Sequence, residues 1–254
     1  MIEPVGSRIR EPGPTAAHEP GSAAHLVIVG AVLLDSLVVD GADGHHLARV
    51  RRLRAGEHLT VADGAGRWRR YEITQARPGS LALDAIGDER VEAPPVRSLL
   101  VAPALSKGTK LESVAAHLTE LGVAEIAPVV LERSIVHLDE PGRRRLHERL
   151  TETVRLAAMQ ARRSRLPVVH EPSDLDLDRL TDRRRMQLVV AQLTGAPHPG
   201  LAPGPLAVVT GPEGGFSPDE ITQFAQFDGV LLGLGEFVLR AETAPLAAAV
   251  RLLG

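Results

Sequence analysis

The residues of this chain with the clearest chemical potential lie in two glycine-rich turns near its C-terminus. The first is TGPEGGFSPDE (210–220), which follows the apolar run GPLAVV, and the second is GLGEFVLRAETAP (233–245). Glycine permits positive φ angles and close approach of the backbone, so such turns bring N–H groups close to a ligand. Ser217, Pro218 and Glu220 fit the N-cap, first turn and capping box of a helix. The pattern predicts a ligand site at a strand–turn–helix junction.

Two nucleotide-binding interpretations of these turns fail on spacing. GPEGG is not followed by the GK[ST] that holds a triphosphate, and GLGEFV lacks the third glycine of a dinucleotide-binding turn. Glycine-rich turns without any ligand remain an alternative. So does a protein that binds RNA without catalysis.

The composition limits the classes of protein that need to be considered. The chain has 254 residues, of which 44% are hydrophobic and 24% are charged, enough to build one large or two smaller domains. It has no cysteine, which excludes disulfides and thiolate metal sites, and its ten histidines show no HExxH pattern. We therefore expect no metal. No apolar run reaches the ~18 residues of a membrane span, so we expect a cytoplasmic protein without membrane contact.

The charge is unevenly distributed although the net charge is only −3. Arginines outnumber acidic residues between Asp43 and Arg77 and again between Arg133 and Arg165. Such clusters fit either contacts with RNA phosphates or a solvated surface, and the sequence leaves both open. Lysine occurs only at Lys107 and Lys110, which suggests a site that needs a compact ammonium group.

The order of apolar runs and turns predicts two domains. Residues 1–24 are rich in Pro, Gly and Ala and are expected to form a flexible leader. Residues 25–86 alternate short apolar runs with turns, including Asp63-Gly64, and predict a small β domain. Residues 87–95 predict a linker. Strand–helix alternation over 96–254 predicts an α/β domain whose parallel sheet is covered on both faces.

Together with motifs further upstream, the two turns resemble the SPOUT-class methyltransferases. The resemblance is to the bacterial family that methylates N3 of a uridine in 16S ribosomal RNA. It covers about residues 26–254, and the motifs that carry it are HHLARVRRLRAGE, ALSKGTKLE, TELGVAEIAPVVLERS, QARRSRLP, GPEGGFSPDE and LGLGEFVLRAETA. The chain departs from the family at Arg162 and Ser164, where Gly and Asn are usual.

The resemblance implies a C-terminal α/β domain with a deep trefoil knot, and an N-terminal PUA-like β-barrel domain that helps to bind RNA. The knotted loops would surround the adenosine of S-adenosyl-L-methionine, and glycines, Gly215 included, would be needed for this close approach. Thr243 is expected to cap the last helix. The implied cofactor-binding residues are Leu193, Gly211, Pro212, Glu213, Gly214, Leu232, Gly233, Leu234, Gly235, Val238, Leu239, Arg240, Thr243 and Ala244.

Methylation of uracil N3 requires loss of the N3 proton and in-line alignment with the methyl donor. Arg240 and Arg163 are the candidates to stabilise negative charge on the uracil oxygens, because arginine remains cationic and offers forked donors. A phosphate contact is an equal alternative for Arg163. Glu213 is a candidate for proton removal or for cofactor contact, and these two roles stay open.

The resemblance also implies 16S ribosomal RNA in the small ribosomal subunit as a partner, and a homodimer that completes its active sites at a two-fold interface. The nearest alternative is a SPOUT enzyme acting on tRNA or on a ribose 2′-hydroxyl. Trp68 and Tyr71 alternate with arginines and, at strand spacing, fall on opposite faces, so they either meet RNA or fill a small core. The candidate RNA-binding residues are Arg51, Arg52, Arg54, Lys107, Lys110 and Arg163.

Overall fold

The computed structural model describes residues 22–95, 97–106, 111–183, 185–197 and 199–254. They form two compact units. Unit 1 comprises the described residues up to Pro94 together with Arg162–Arg165, and unit 2 comprises those of Pro95–Ala161 and Leu166–Gly254. Most of the expected leader, and both lysines of SKGTK, lie outside the described residues.

Unit 1 is built on a five-stranded sheet with one short helix, α1 (Gly41–His45), which continues as a π-helical turn over His46–Val50. The strand order is β1-β3-β4-β5-β2. β1 and β3 are parallel, and the other neighbours are antiparallel. The predicted β-rich domain is confirmed. Its strands are β1 (Ser22–Val27), β2 (Ser36–Val39), β3 (His58–Ala62), β4 (Arg67–Arg77) and β5 (Ser80–Val91).

The hairpin turn between β3 and β4 lies at the predicted Asp63-Gly64 position. The Asp63 Oδ1 atom accepts hydrogen bonds from the backbone N–H groups of Ala65 (2.7 Å) and Arg67 (2.9 Å). The expected boundaries of the domain need two corrections. Ser22–Ala24, assigned to the leader, already belong to β1, and the linker expected at 87–95 is β-strand as far as Val91. Pairing with β4 orders this charged segment, and a polar strand at a sheet edge resembles a linker in sequence.

Trp68 and Tyr71 lie in the core of unit 1, so of the two alternatives left open by the sequence the structure supports the core and not the contact with RNA. Their side chains are 1% and 0% exposed. The pairing of β4 with β3 is regular from Trp68 to Glu72, so the two aromatic side chains lie on opposite faces of the strand, and both faces are covered there. The Tyr71 hydroxyl donates to the Leu34 carbonyl at 2.9 Å. The alternation expected from the sequence therefore holds, and what the sequence could not show is that both faces of β4 are covered.

Unit 2 contains a six-stranded parallel sheet of order β13-β11-β12-β6-β7-β9, beside which β8 and β10 form a separate parallel pair. Its helices are α2 (Leu111–Glu120), α3 (Glu140–Ala161), α4 (Leu177–Leu180), α5 (Pro218–Gln226) and α6 (Thr243–Leu253). Its strands are β6 (Leu99–Pro103), β7 (Glu125–Ile126), β8 (Val129–Val130), β9 (Val168–Val169), β10 (Ser173–Asp174), β11 (Gln187–Ala196), β12 (Leu206–Thr210) and β13 (Val230–Leu232).

The central strand β12 shows why both faces of this sheet are covered. Leu206 and Val208 pack into a core with residues of α2, α3 and α6. Ala207 and Val209 point the other way, into a second core with α4 and with Phe224 of α5. Apolar side chains on successive residues need cover on two sides. The predicted α/β fold is confirmed. No helix among the described residues is long and apolar enough to cross a membrane.

Candidate functional site

A cavity of about 340 Å³ opens in unit 2 beside the middle of β11, where β12 ends and the loop after β13 begins. Loops at the carboxyl ends of parallel strands meet at one edge of the sheet, which is where open α/β folds bind ligands. The volume lies in the range of ~300–1,000 Å³ typical of small-molecule sites. The cavity is lined by Ala191, Gln192, Leu193, Gly211, Pro212, Gly215, Phe216, Leu234, Gly235, Phe237, Val238, Leu239 and Ala244.

The lining includes much of the cofactor site expected from the sequence. The expected residues that line it are Leu193, Gly211, Pro212, Leu234, Gly235, Val238, Leu239 and Ala244. The expected residues outside the lining are Glu213, Gly214, Leu232, Gly233, Arg240 and Thr243. Sequence reasoning missed Ala191, Gln192, Phe216 and Phe237. Phe216 carried a usable signal, because it directly follows the GPEGG turn and precedes the helix cap.

The wall formed by the first turn is fixed by packing and by capping. The Phe216 ring meets Phe224 edge-on at 5.0 Å between centroids, and Phe224 is fully buried. The predicted capping box is confirmed. The Ser217 hydroxyl accepts from the Glu220 N–H, and the Glu220 carboxylate accepts from the Ser217 N–H at 2.8 Å. The other Glu220 oxygen accepts from the Glu132 N–H, so one buried carboxylate ties two loops together.

The glycines of the two turns are required by packing and by backbone conformation within the protein itself. A Cβ on Gly211 would lie 3.3 Å from the Phe216 ring. Gly215 and Gly235 adopt φ angles of +67° and +153°, which L side chains rarely adopt. A Cβ on Gly233 would collide with the Gly195 carbonyl oxygen. The glycine pattern therefore marks a crowded backbone, in addition to the close approach of a cofactor that the resemblance implies.

The last helix begins without the expected side-chain cap. Thr243 is the first residue of α6, Glu242 is the N-cap residue, and its side chain makes no capping bond. The Arg240 carbonyl instead accepts from the N–H groups of Thr243 (2.9 Å) and Ala244 (3.0 Å). The N-cap role predicted for Thr243 is wrong, because a backbone turn closes this helix end.

Arg240 and Glu213, two of the predicted catalytic residues, point to solvent near the cavity loops. The Arg240 side chain is 85% exposed, and its nearest acidic oxygen belongs to Glu242, at 3.7 Å. Glu213 is exposed in the first turn. Its neighbour Gly214 accepts a hydrogen bond from the Arg133 guanidinium at 2.9 Å, which holds the turn in place.

Arg163, the third predicted catalytic residue, belongs to unit 1. Its carbonyl accepts a hydrogen bond from Nε2 of His25 at 3.0 Å, and burial lowers the pKa of its guanidinium. Burial also lowers the pKa of His25 to about 4. The Ser164 N–H donates to the Glu92 carboxylate. Arg162 has φ +56°, a left-handed conformation that favours glycine, the residue that the resemblance implies there.

Three of the predicted RNA-binding arginines, Arg51, Arg52 and Arg54, are exposed, whereas Arg163 is partly buried. Two of the exposed ones border a second cavity, wholly within unit 1. This cavity has a volume of about 760 Å³. Arg52 and Arg54 line it together with Arg49 and Arg77, which the sequence analysis did not assign. Arg51 is not in the lining. Four guanidinium groups around one concavity make a positive surface suited to phosphates.

Comparison with known proteins places this geometry in a family. Residues 92–253 match the model of an RNA methyltransferase domain, and residues 39–85 match an RNA methyltransferase PUA domain. Two similar curated proteins are each named ribosomal RNA small subunit methyltransferase E. The one from Mycobacterium tuberculosis is 33% identical over 222 residues, 83% of each chain. The one from Bacillus subtilis is 30% identical over 224 residues, 83% of this chain and 86% of the relative.

Solved structures agree with the sequence relatives. The enzyme of the same name from Neisseria gonorrhoeae, solved bound to S-adenosyl methionine, superposes with a TM-score of 0.76 at 26% identity. That match covers 90% of this chain and 96% of the other. The resemblance drawn from the motifs is confirmed, and the chain belongs to the family of RNA methyltransferases that carry an N-terminal PUA domain.

Proposed function

We propose that this protein transfers the methyl group of S-adenosylmethionine to N3 of a uridine in the 16S RNA of the small ribosomal subunit, in the cytoplasm. The observation that carries the proposal is the cavity beside β11 and the end of β12, since its lining holds most of the residues expected to bind this cofactor. The names of the relatives support the substrate, and the Neisseria structure supports the cofactor.

The residues of the cavity fit the adenosine part of this cofactor. Leu193, Leu234 and Leu239 offer apolar walls for a flat purine, and the backbone of the glycine-rich turns offers N–H and C=O groups. The Gln192 Oε1 atom is buried without a hydrogen-bond partner among the described residues. The bound cofactor supplies an electrophilic methyl group on sulfur. The chain's own residues must then bring the uracil in line with it.

In this proposal Arg240 stabilises the charge that develops on the uracil oxygens as the N3 proton leaves. Its exposed guanidinium lies on the loop that walls the cavity, and it is free to approach a bound base. Arg163 keeps the two roles expected for it, which are to stabilise charge on the uracil oxygens or to contact a phosphate. Glu213 either accepts the N3 proton or contacts the cofactor.

A homodimer belongs to the proposal, because the cavity loop exposes apolar side chains. Phe237 is 80% exposed and Val238 is 84% exposed, and both line the cavity. A second copy that covers them would remove this apolar surface from water and close the site. Light scattering at micromolar protein concentration tests the dimer, and a monomeric mass would contradict it.

The deep trefoil knot also stays a proposal, supported by the crowding of the Gly195 and Gly233 backbones.

RNA binding is assigned to unit 1 through its basic cavity. The lining arginines would neutralise phosphates of the ribosomal RNA and hold the target strand, while the methyltransferase loops act on one base. N3 lies on the pairing edge of uracil, so the target base must be unpaired or flipped out.

The experiment that tests the function is a methylation assay with radiolabelled S-adenosylmethionine. Small ribosomal subunits, free 16S RNA and bulk tRNA are offered separately, and the labelled nucleoside is identified by digestion and mass spectrometry. We expect 3-methyluridine in ribosomal RNA, and loss of label with Arg240→Ala. Label found only as a 2′-O-methyl nucleoside, or only in tRNA, would favour another SPOUT activity. Cofactor binding without methylation of any of these RNAs would contradict the proposal.

A further inference from the structure

The cavity of unit 1 offers more than a positive surface. Besides its four arginines it is lined mainly by apolar residues, and none of the described lining residues is acidic. Leu53 is buried and Ala48 is half-buried, whereas the four arginines are exposed. Apolar surface therefore lies deeper in the cavity than the positive charge, and a phosphate held by the arginines alone would leave it uncovered. The apolar lining residues are Ala48, Leu53, Ala55, Ala76 and Pro78.

The positive charge of the lining is not neutralised within the described part of the chain. Elsewhere in unit 1 arginines pair with carboxylates, as Arg67 does with Glu89 at 2.6 Å. The four lining arginines make no ion pair of this kind with a described residue. Like charges around one concavity repel each other and attract anions, so an anionic ligand relieves the repulsion. These arginines are Arg49, Arg52, Arg54 and Arg77.

The backbone at Arg52 is a second, independent sign of a ligand. Arg52 has φ +57°, in the left-handed region that favours glycine, and it lies just beyond the π-helical turn over His46–Val50. Side chains held in this region cost free energy and concentrate at ligand sites, as π-helical turns also do. Glycine would avoid this cost. The retained guanidinium group therefore indicates a binding role for Arg52.

One unpaired nucleotide combines the two kinds of chemistry that this lining accommodates. Its base has flat apolar faces, and its phosphates are anionic. Guanidinium groups both bind phosphates and stack on the faces of unpaired bases. The cavity volume of about 760 Å³ lies within the ~300–1,000 Å³ of sites that enclose small molecules. A base inside a helix is covered on both faces by its neighbours, so only an unstacked base can enter.

We propose that the cavity of unit 1 holds one unpaired nucleotide of the RNA, with its base against the apolar lining and its phosphates on the arginines. This inference rests on the proposed function, since it assumes an RNA substrate. The nucleotide held here is distinct from the uridine that is methylated, because the cofactor cavity belongs to unit 2. Unit 1 then selects RNA by the presence of an unpaired base and does not bind every RNA helix equally.

The test measures the binding of three hairpin RNAs by fluorescence anisotropy with saturating S-adenosylhomocysteine. The first stem is fully paired, the second carries one bulged cytidine, and the third carries a ribose without a base at the same bulge. The two bulged RNAs have equal numbers of phosphates, and cytidine is not the base on which the proposed reaction acts. We expect the wild-type protein to bind the cytidine bulge about 5- to 30-fold more tightly than the abasic bulge, the range for one base stacked on a cation.

Variants that fill the cavity without changing its charge assign this preference to unit 1. Ala76 is an exposed lining residue of β4, and Ala76→Leu places a larger apolar side chain there. We expect the preference to fall to roughly threefold or less, with unchanged affinity for the abasic bulge. Ala55→Leu fills the same cavity from another segment, and serves if Ala76→Leu does not fold. Ala42→Leu, at an exposed position of α1 outside the lining, is the matched control and should keep the wild-type preference.

The outcomes separate this inference from the proposed function. Equal affinity of the wild-type protein for the cytidine and abasic bulges overturns the inference and leaves RNA binding through phosphates in place. A preference that persists in both filled variants also overturns it, because the base then lies elsewhere, as does an equal loss of affinity for all three RNAs. Failure of the wild-type protein to bind any of the three RNAs contradicts the RNA-binding role that the proposed function assigns to unit 1.

Discussion

The stability of unit 1 should depend on pH through one buried histidine. His25 lies on β1 with 5% of its surface exposed, and its Nε2–H donates to the Arg163 carbonyl. The pKa of His25 is lowered from 6.5 to about 4, mainly because the ring is buried. The hydrogen bond to the Arg163 carbonyl opposes this shift, and the nearby Arg162 guanidinium makes a smaller contribution in the same direction as burial. The folded state therefore favours the neutral ring, whereas in the unfolded chain the ring takes up a proton at its ordinary pKa.

The sign and size of the effect follow from this difference in pKa. Below pH 6.5 the unfolded chain takes up a proton at His25 that the folded chain takes up only near pH 4. Stability is therefore complete above about pH 7 and is lost as the pH falls from 6.5 toward 4. The whole difference corresponds to roughly 3 kcal/mol, of which about 2 kcal/mol is lost by pH 5.

Urea unfolding followed by tryptophan fluorescence measures this loss directly. The chain has a single tryptophan, and Trp68 is buried in unit 1. His25→Gln keeps an N–H donor for the Arg163 carbonyl but cannot be protonated. Between about pH 7.5 and pH 5 the wild-type protein should lose about 2 kcal/mol more stability than this variant. His45→Gln, at an exposed position of the same unit, should behave like wild type. Equal pH dependence of wild type and His25→Gln would refute the reasoning.

Three further predictions concern the cavity loops and the RNA surface. Arg240→Ala should lower single-turnover methylation roughly 10²–10³-fold without changing cofactor affinity; a decrease explained by weaker cofactor binding would make Arg240 a cofactor residue only. Gly195→Ala should destabilise unit 2 by ~1–3 kcal/mol in thermal unfolding, because its Cβ would overlap the backbone at the end of β13. Gly200→Ala, which has open space around it, is the control. Replacing Arg51, Arg52 and Arg54 together by neutral residues should weaken RNA binding. The slope of log binding constant against log salt should become shallower by ~0.7–0.9 for each phosphate that is no longer neutralised. An unchanged slope would mean that these arginines form only a solvated surface.

The elements that follow local rules could be predicted from the sequence. The capping box at Ser217 and Glu220 depends on residues three positions apart, and both bonds form as expected. The hairpin at Asp63 likewise depends on one short turn. Continuous apolar strands such as LAVV predicted a sheet covered on two faces, because any isolated strand of that kind would expose apolar side chains.

The features that sequence reasoning missed depend on pairing between distant segments. Trp68 and Tyr71 lie on opposite faces of β4, and both are buried only because distant segments cover both faces, so no local pattern predicts it. Arg162–Arg165 follow α3 of unit 2 in the chain but belong to unit 1, where Gly66 and Glu92 hold them. A candidate catalytic residue in that segment is therefore positioned by the β domain. Its position in the sequence pointed to the α/β domain.

The glycine positions were identified correctly from the sequence, but the structural cause that was expected for them is incomplete. A glycine in the sequence indicates only that a side chain at that position would be sterically or conformationally unfavourable. A bound cofactor is one of several structural causes of such a requirement. At Gly233 the obstacle is the backbone near Gly195, a residue that carried no signal of its own in the sequence. Substituting Gly233 would therefore disturb the fold before it disturbed any ligand. Gly211 faces only an aromatic ring in the cavity wall, so a substitution there reports on the site more directly.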